Sequence, residues 1–226
     1  MSTKLKLKNI SKLYHNSDGD QYALQNINMQ VANQEFLAII GEKGSGKSTL
    51  FNILGLLERP STGAYLIDGK PTGVLNESQI TQLREKTFGF LFRALFLNPK
   101  QSALRNISLA LTQNGTPTSR AKEIASEQLT FLGGEDLQDK KVRDLPIEQQ
   151  QLVALARALA TGNNILLADE PFKPLDEDNQ QKLLELFQKI HYEHQKTVII
   201  LTEKRQLLAP HSDRVLNLQK KTLKQF

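Results

Sequence analysis

The sequence predicts an α/β protein: a parallel sheet covered by helices, with an antiparallel β region at its N-terminal end and a helical insertion. Three observations carry this. In the second half, the apolar runs 165–168 and 197–201 alternate with a helix-length amphipathic segment at 177–193, the order that builds parallel sheets. Near the N-terminus the run Phe36-Leu37-Ala38-Ile39-Ile40 passes through a glycine-rich turn into the helix-like Leu50-Phe51-Asn52-Ile53-Leu54. Between Ser102 and Ala160 the pattern is helical, broken at Asn114-Gly115, Gly133-Gly134 and Pro146.

In chain order, residues 4–10 alternate Lys with Leu, as a strand with one wet face does, and 27–31 again show period two. A strand at 35–40 precedes the glycine-rich turn. The helix after that turn is expected to run to about residue 57, where Pro60-Ser61-Thr62-Gly63 closes it ahead of a short strand at 64–67 and the turn Asp68-Gly69. Residues 88–92 form a compact apolar strand, and Lys220, Lys221 and Lys224 are expected in a terminal one.

At 226 residues and 39% hydrophobic, the chain can bury a substantial core. It has no cysteine, in keeping with a reducing compartment. The start Met1-Ser2-Thr3-Lys4-Leu5-Lys6 lacks a signal-peptide core, and no apolar run is long enough to span a bilayer, so a cytoplasmic location is expected. The net charge of +5 fits the wet faces of strands better than a nucleic-acid partner, since no aromatic-rich basic module accompanies it. No nucleic acid is expected.

The turn itself reads Gly41-Glu42-Lys43-Gly44-Ser45-Gly46-Lys47-Ser48-Thr49, a complete phosphate-binding loop in its required strand–turn–helix context. Glycines let backbone N–H groups curl around a phosphate, Lys47 reaches the β and γ oxygens, and the Ser48 hydroxyl ligates Mg²⁺. The expected ligand is therefore a nucleotide with Mg²⁺, as MgATP or MgADP. At the end of a second apolar strand, Asp169 and Glu170 supply carboxylates: the first suits Mg²⁺, and the second suits a base orienting or deprotonating an attacking water.

This order of segments resembles the ATP-binding cassette (ABC) transporter ATPase family over essentially the whole chain. The stretch from Leu54 through Gly63 and Phe88-Gly89-Phe90-Leu91-Phe92 place it nearest the compact ATPases of lipoprotein-release and macrolide-export systems. The resemblance implies a phosphate-loop NTPase core from 1–92 and 160–226, with the helical subdomain at about 93–159. It matches Tyr14 to the aromatic that stacks on adenine, though a plain surface tyrosine reads equally from the residues. It matches Asp176 to a loop crossing to a partner subunit; the alternative is a helix cap. Implied partners are a membrane-spanning transporter subunit and a second ATP-binding subunit, identical or not, with the chain peripheral at the inner face of the membrane.

Three family motifs are altered. The glutamine expected after strand 88–92 is Arg93, the signature Leu-Ser-Gly-Gly-Gln is Leu145-Pro146-Ile147-Glu148-Gln149, and the switch histidine after Thr202 is Glu203. Pro146 removes an N–H, Ile147 places a β-branched side chain where backbone must approach closely, and Glu148 brings a carboxylate toward the polyphosphate or simply faces solvent. Asp144, Pro146 and Glu148 nevertheless make a sound helix start, with Asp144 as the cap. Losing one preorganised donor to developing charge costs about 3–4 kcal/mol, so hydrolysis is expected to be impaired. Arg93 and Glu203 bring opposite charges to neighbouring positions, which suggests a pair; Arg93–Glu170 is the rival, and unrelated replacements that do not pair are the alternative. Two further readings stay open: a catalytically inactive, nucleotide-regulated protein docked on a membrane partner, and an ATPase active only as a heterodimer with an intact cassette subunit.

Overall fold

The computed structural model describes residues 3–16 and 19–225. Two sheets organise it. The first is antiparallel, in the order β2-β1-β4-β5, from β1 (Thr3–Asn16), β2 (Gly19–Ala32), β4 (Thr62–Ile67) and β5 (Lys70–Pro71). The second runs β10-β9-β3-β8-β7-β6, from β3 (Phe36–Ile40), β6 (Phe88–Leu91), β7 (Ile165–Asp169), β8 (Thr197–Thr202), β9 (Arg214–Gln219) and β10 (Thr222–Gln225). All of its pairings are parallel except the β9–β10 hairpin.

The central strands are apolar on both faces because both faces are covered. Leu37 and Ile39 of β3, Ile199 and Leu201 of β8, and Ile165 and Leu167 of β7 join one buried cluster with β1, β2 and α1 (Lys47–Leu54). Their alternates, Ala38, Ile200 and Leu166 among them, enter a second cluster with the helices on the opposite side. The helix that follows the glycine-rich turn is thus enclosed between the two sheets.

The helical insertion lies between β6 and β7 and holds α3 (Ala103–Gln113), α4 (Thr118–Phe131) and α5 (Ile147–Ala160). Helix α5 lies against β6 at Gly89, where an added Cβ would stand 2.2 Å from the Ala158 carbonyl oxygen. Beyond β7 come α6 (Glu177–His194) and the short α7 (Arg205–Leu208).

Several boundaries differ from expectation. Helix α1 stops at Leu54 because Gly55 caps it and Leu56 turns left-handed at φ 55°. The N-terminal strands reach well past 4–10 and 27–31, since each completes the other's hydrogen bonding as a long hairpin. Lys220 and Lys221 form the positive-φ turn between β9 and β10, leaving only Lys224 of the three terminal lysines in a strand. Helix α2 (Glu77–Thr87) was not expected at all. Only Ile80 and Thr87 are buried on it, and its start is fixed by a capping box between Asn76 and Gln79.

Candidate functional site

The loop between β3 and α1 forms one wall of a cleft of about 410 Å³. Gly44 and Gly46 adopt φ of 81° and 105°, which bends successive N–H groups to one side. A Cβ on Gly46 would also stand 2.5 Å from the Ala23 carbonyl oxygen, so that position is closed to any other residue. Gly41 anchors the loop by donating its N–H to Thr202 O at the end of β8, 3.1 Å away. Of the residues expected to bind nucleotide, Tyr14, Lys43, Gly44, Gly46, Lys47, Ser48 and Thr49 border the cleft. Gly41, Glu42 and Ser45 do not line it, and the Ser45 hydroxyl is buried with no hydrogen-bond partner among the described residues.

Lys47 sits at the centre of the arrangement and is buried. Its ammonium donates to Gly41 O at 2.6 Å and Glu42 O at 3.0 Å, and lies 3.1 Å from Glu170 Oε1 and 3.5 Å from Glu203 Oε1. Glu170 is itself buried, in the left-handed region at φ 47°. Its other oxygen, Oε2, accepts from Thr202 Oγ1 at 3.1 Å and from the Glu203 N–H at 3.2 Å.

The expected Arg93–Glu203 pair is therefore not formed, nor is the rival Arg93–Glu170 pair. Lys47 is nearer to both carboxylates and takes them both. Arg93 is exposed on the rim of the cleft and makes no hydrogen bond or ion pair among the described residues.

Asp169 ends β7 with one oxygen, Oδ2, 3.4 Å from the Ser48 hydroxyl and the other, Oδ1, buried without a partner. Burial, helped by the charge of Glu170, pushes its carboxyl above the ordinary aspartate range against the opposing pull of Lys47, Ser48 and Arg93. A buried, unsatisfied carboxylate oxygen beside a hydroxyl is a hard-oxygen donor set of the kind that suits Mg²⁺. Among the described residues no group of three or more His, Cys, Asp or Glu could hold a metal without help.

At the far end of the cleft Tyr14 is half-buried, not a free surface tyrosine. Its hydroxyl donates to Glu58 Oε2 at 2.8 Å, and Lys12 pairs with Glu58 Oε1 at 2.9 Å while lying 5.2 Å from the tyrosine ring centroid. Burial raises the Tyr14 phenol above its usual range, opposed by a hydrogen bond with Thr49 and assisted by Glu58. For Glu58 burial works upward, but Lys12 and the Tyr14 hydroxyl together hold its carboxyl below the usual range. Gln21, Tyr22, Ala23 and Lys221 also border the cleft and were not anticipated. They arrive through the β1–β2 hairpin register, which sets Tyr14 opposite Gln21, and through Gln25 N–H donating to Lys221 O at 2.8 Å, neither of which leaves a local sequence signal.

The segment 145–149 opens α5 away from this cleft. The cap position is Pro146, with no side-chain cap bond, so Asp144 is not the cap; it closes the preceding turn and sits 3.6 Å from Arg143. Ile147 is exposed, and Glu148 is half-buried in the first turn without an ion pair or hydrogen bond among the described residues. Asp176 caps α6, its side chain accepting from Asn179 N–H at 2.9 Å.

A parallel sheet flanked by an antiparallel one, with a lysine buried under a glycine-rich loop and two acids at a neighbouring strand end, defines a phosphate-loop cassette. The model of the ABC transporter family matches residues 24–173, and the chain belongs to that family. It is 37% identical to the ABC transporter ATP-binding protein MJ0796 of Methanocaldococcus jannaschii over 202 residues, covering 88% of this chain and 86% of the relative. The dimeric structure of MJ0796 superposes with a TM-score of 0.89 at 34% identity, covering 98% of this chain and 97% of the other. A dimeric post-hydrolysis structure of the same cassette, bound to ADP and Pi, gives a TM-score of 0.88 over 98% of both chains. The macrolide export ATP-binding/permease protein MacB of Brucella melitensis is 38% identical over 215 residues, or 95% of this chain but 33% of the relative. The chain spans about a third of the length of the MacB relatives it matches.

Proposed function

We propose that this chain is the ATP-binding subunit of a membrane transport or membrane-remodelling complex. It takes MgATP into the cleft between Tyr14 and the 41–49 loop, and its hydrolysis is slow or absent. The observation that carries the reading is Lys47, buried under a loop whose glycines take the left-handed conformations a phosphate cradle requires. In this reading Tyr14 stacks on the base, loop N–H groups and Lys47 hold the phosphates, and Ser48 and Asp169 hold Mg²⁺, which supplies charge neutralisation at the phosphates when bound. Glu170 is the candidate base. Impairment is supported by Pro146 and Ile147 at the start of α5, where a preorganised donor is missing, and by Glu203 facing Lys47.

The core comprises 1–92 and 160–226 and the helical subdomain about 93–159. No helix among the described residues is long and apolar enough to cross a membrane. Membrane attachment is at the inner face of the cell membrane, through a spanning partner docked near residues 93–106, where Phe96 is exposed. The family likeness to dimeric cassettes and to a fused permease supports pairing with a second ATP-binding subunit and with a membrane subunit. A second reading, an inactive nucleotide-regulated docking protein, is favoured by the same Glu203–Lys47 contact.

A binding titration with MgATP run beside a single-turnover cleavage assay tests both halves. Wild-type protein is expected to bind and Lys47→Ala not to. Steady-state cleavage by the isolated chain is expected to match a Glu170→Gln control. Equal affinity in Lys47→Ala removes the site assignment, and a wild-type rate well above the control shows an intact enzyme.

A further inference from the structure

We propose that Glu203 makes this cleft a nucleoside-diphosphate site, one that takes ADP in preference to ATP. The proposal rests on reading the 41–49 loop as a nucleotide site. Tyr14 borders one end of the cleft and the Lys47, Glu170, Glu203 group the other. A nucleotide with its base on Tyr14 places its last phosphate against the loop N–H groups and Lys47 when it is a diphosphate. A triphosphate carries one more anionic group beyond that point, toward the carboxylates.

Those carboxylates differ in how they are held. Glu170 is buried and anchored by Thr202 Oγ1 and the Glu203 N–H, so it stays in place whatever enters. The Glu203 side chain is 39% exposed, and its carboxylate lies 3.5 Å from the Lys47 ammonium. It stands where an oxygen of a further phosphate would meet the same ammonium. Two carboxylates on one ammonium leave a net negative charge at that spot. A third phosphate must either displace Glu203 from Lys47 or sit beside it, and both cost binding free energy that a diphosphate does not lose. Lys43, Arg93 and Lys221 also border the cleft; Lys43 and Arg93 are exposed, and their charge is screened by solvent and salt.

The test is titration of the full chain, by calorimetry, with MgADP and with a non-hydrolysable MgATP analogue, for wild type and Glu203→Gln. Wild type is expected to bind the diphosphate about tenfold more tightly, or about 1.4 kcal/mol. Glu203→Gln is expected to recover most of that factor by tightening the triphosphate alone. Glu203→Ala, checked by thermal melting, serves as a second variant should the glutamine side-chain amide hydrogen-bond to Lys47's neighbours. Triphosphate binding as tight as diphosphate binding in wild type, or an equal gain for both nucleotides in the variants, overturns the proposal. Binding of neither nucleotide overturns it together with the nucleotide reading. Binding of both without preference overturns it alone.

Discussion

Replacing Lys47 with alanine should do more than remove a ligand contact; it should destabilise the free protein. The ammonium sits against the buried carboxylate of Glu170 at 3.1 Å and the partly exposed Glu203 at 3.5 Å, with Asp169 adjacent to Glu170 in sequence. Removing it leaves a cluster of acids with no internal cation in contact. Breaking a buried ion pair by deleting one partner costs about 3–5 kcal/mol. The lower end applies here, because Glu170 keeps hydrogen bonds from Thr202 Oγ1 and the Glu203 N–H. For a chain of this size each kcal/mol corresponds to about 2–4 °C, so a loss of about 6–12 °C in Tm is expected. Thermal denaturation without nucleotide, followed by circular dichroism, measures it. Glu170→Gln should cost little by itself and should restore much of the loss in the double variant, with a coupling of at least about 1 kcal/mol. A Lys47→Ala melting point within about 2 °C of wild type, or strictly additive effects, would refute the account of this cluster.

Asp169 gives a prediction with the opposite sign. Its carboxyl is raised in the folded protein, chiefly by burial, so the folded state holds its proton more tightly than the unfolded state does. Stability from this group is present below the unfolded value and is lost as pH rises through the raised folded value. Asp169→Asn should therefore melt higher than wild type at neutral pH, with the gap closing toward the acid side of that window, while Mg²⁺-dependence of nucleotide binding weakens. A gap independent of pH would count against it. At the other end of the cleft, Tyr14→Ala should weaken nucleotide binding by about 1–3 kcal/mol and Tyr14→Phe by much less, because stacking needs the ring and not the hydroxyl. Equal losses in the two variants, measured by titration, would show that the Glu58 hydrogen bond matters more than the ring.

Much of this architecture is legible in the residues because it is local or strictly periodic. The strand, turn and helix around residues 36–54 announce themselves, and the two-faced burial of β3, β7 and β8 shows as uninterrupted apolar runs. Helix α2 lacks such a stripe; Asn76 and Gln79 carried its only signal, a capping box. The partner of Glu203 was misjudged for a different reason. The appearance of opposite charges at two positions invites pairing them with each other, yet sequence gives no measure of which cation reaches which acid, and Lys47 takes Glu203 instead. Gln21, Tyr22 and Lys221 reach the cleft only through hairpin register and a turn on another sheet.

The end of β8 touches both halves of the site. Thr202 accepts the Gly41 N–H with its carbonyl and holds Glu170 with its hydroxyl, while the Glu170 N–H returns to Leu201 O at 2.8 Å. The floor of the cradle and the buried acid are thus fastened to consecutive residues of one strand, and neither can shift without loading the other. A tug on residues 203–208, just past that strand, would reach both at once, as a single lever reaches two latches. The charge at Glu203 sits at the handle.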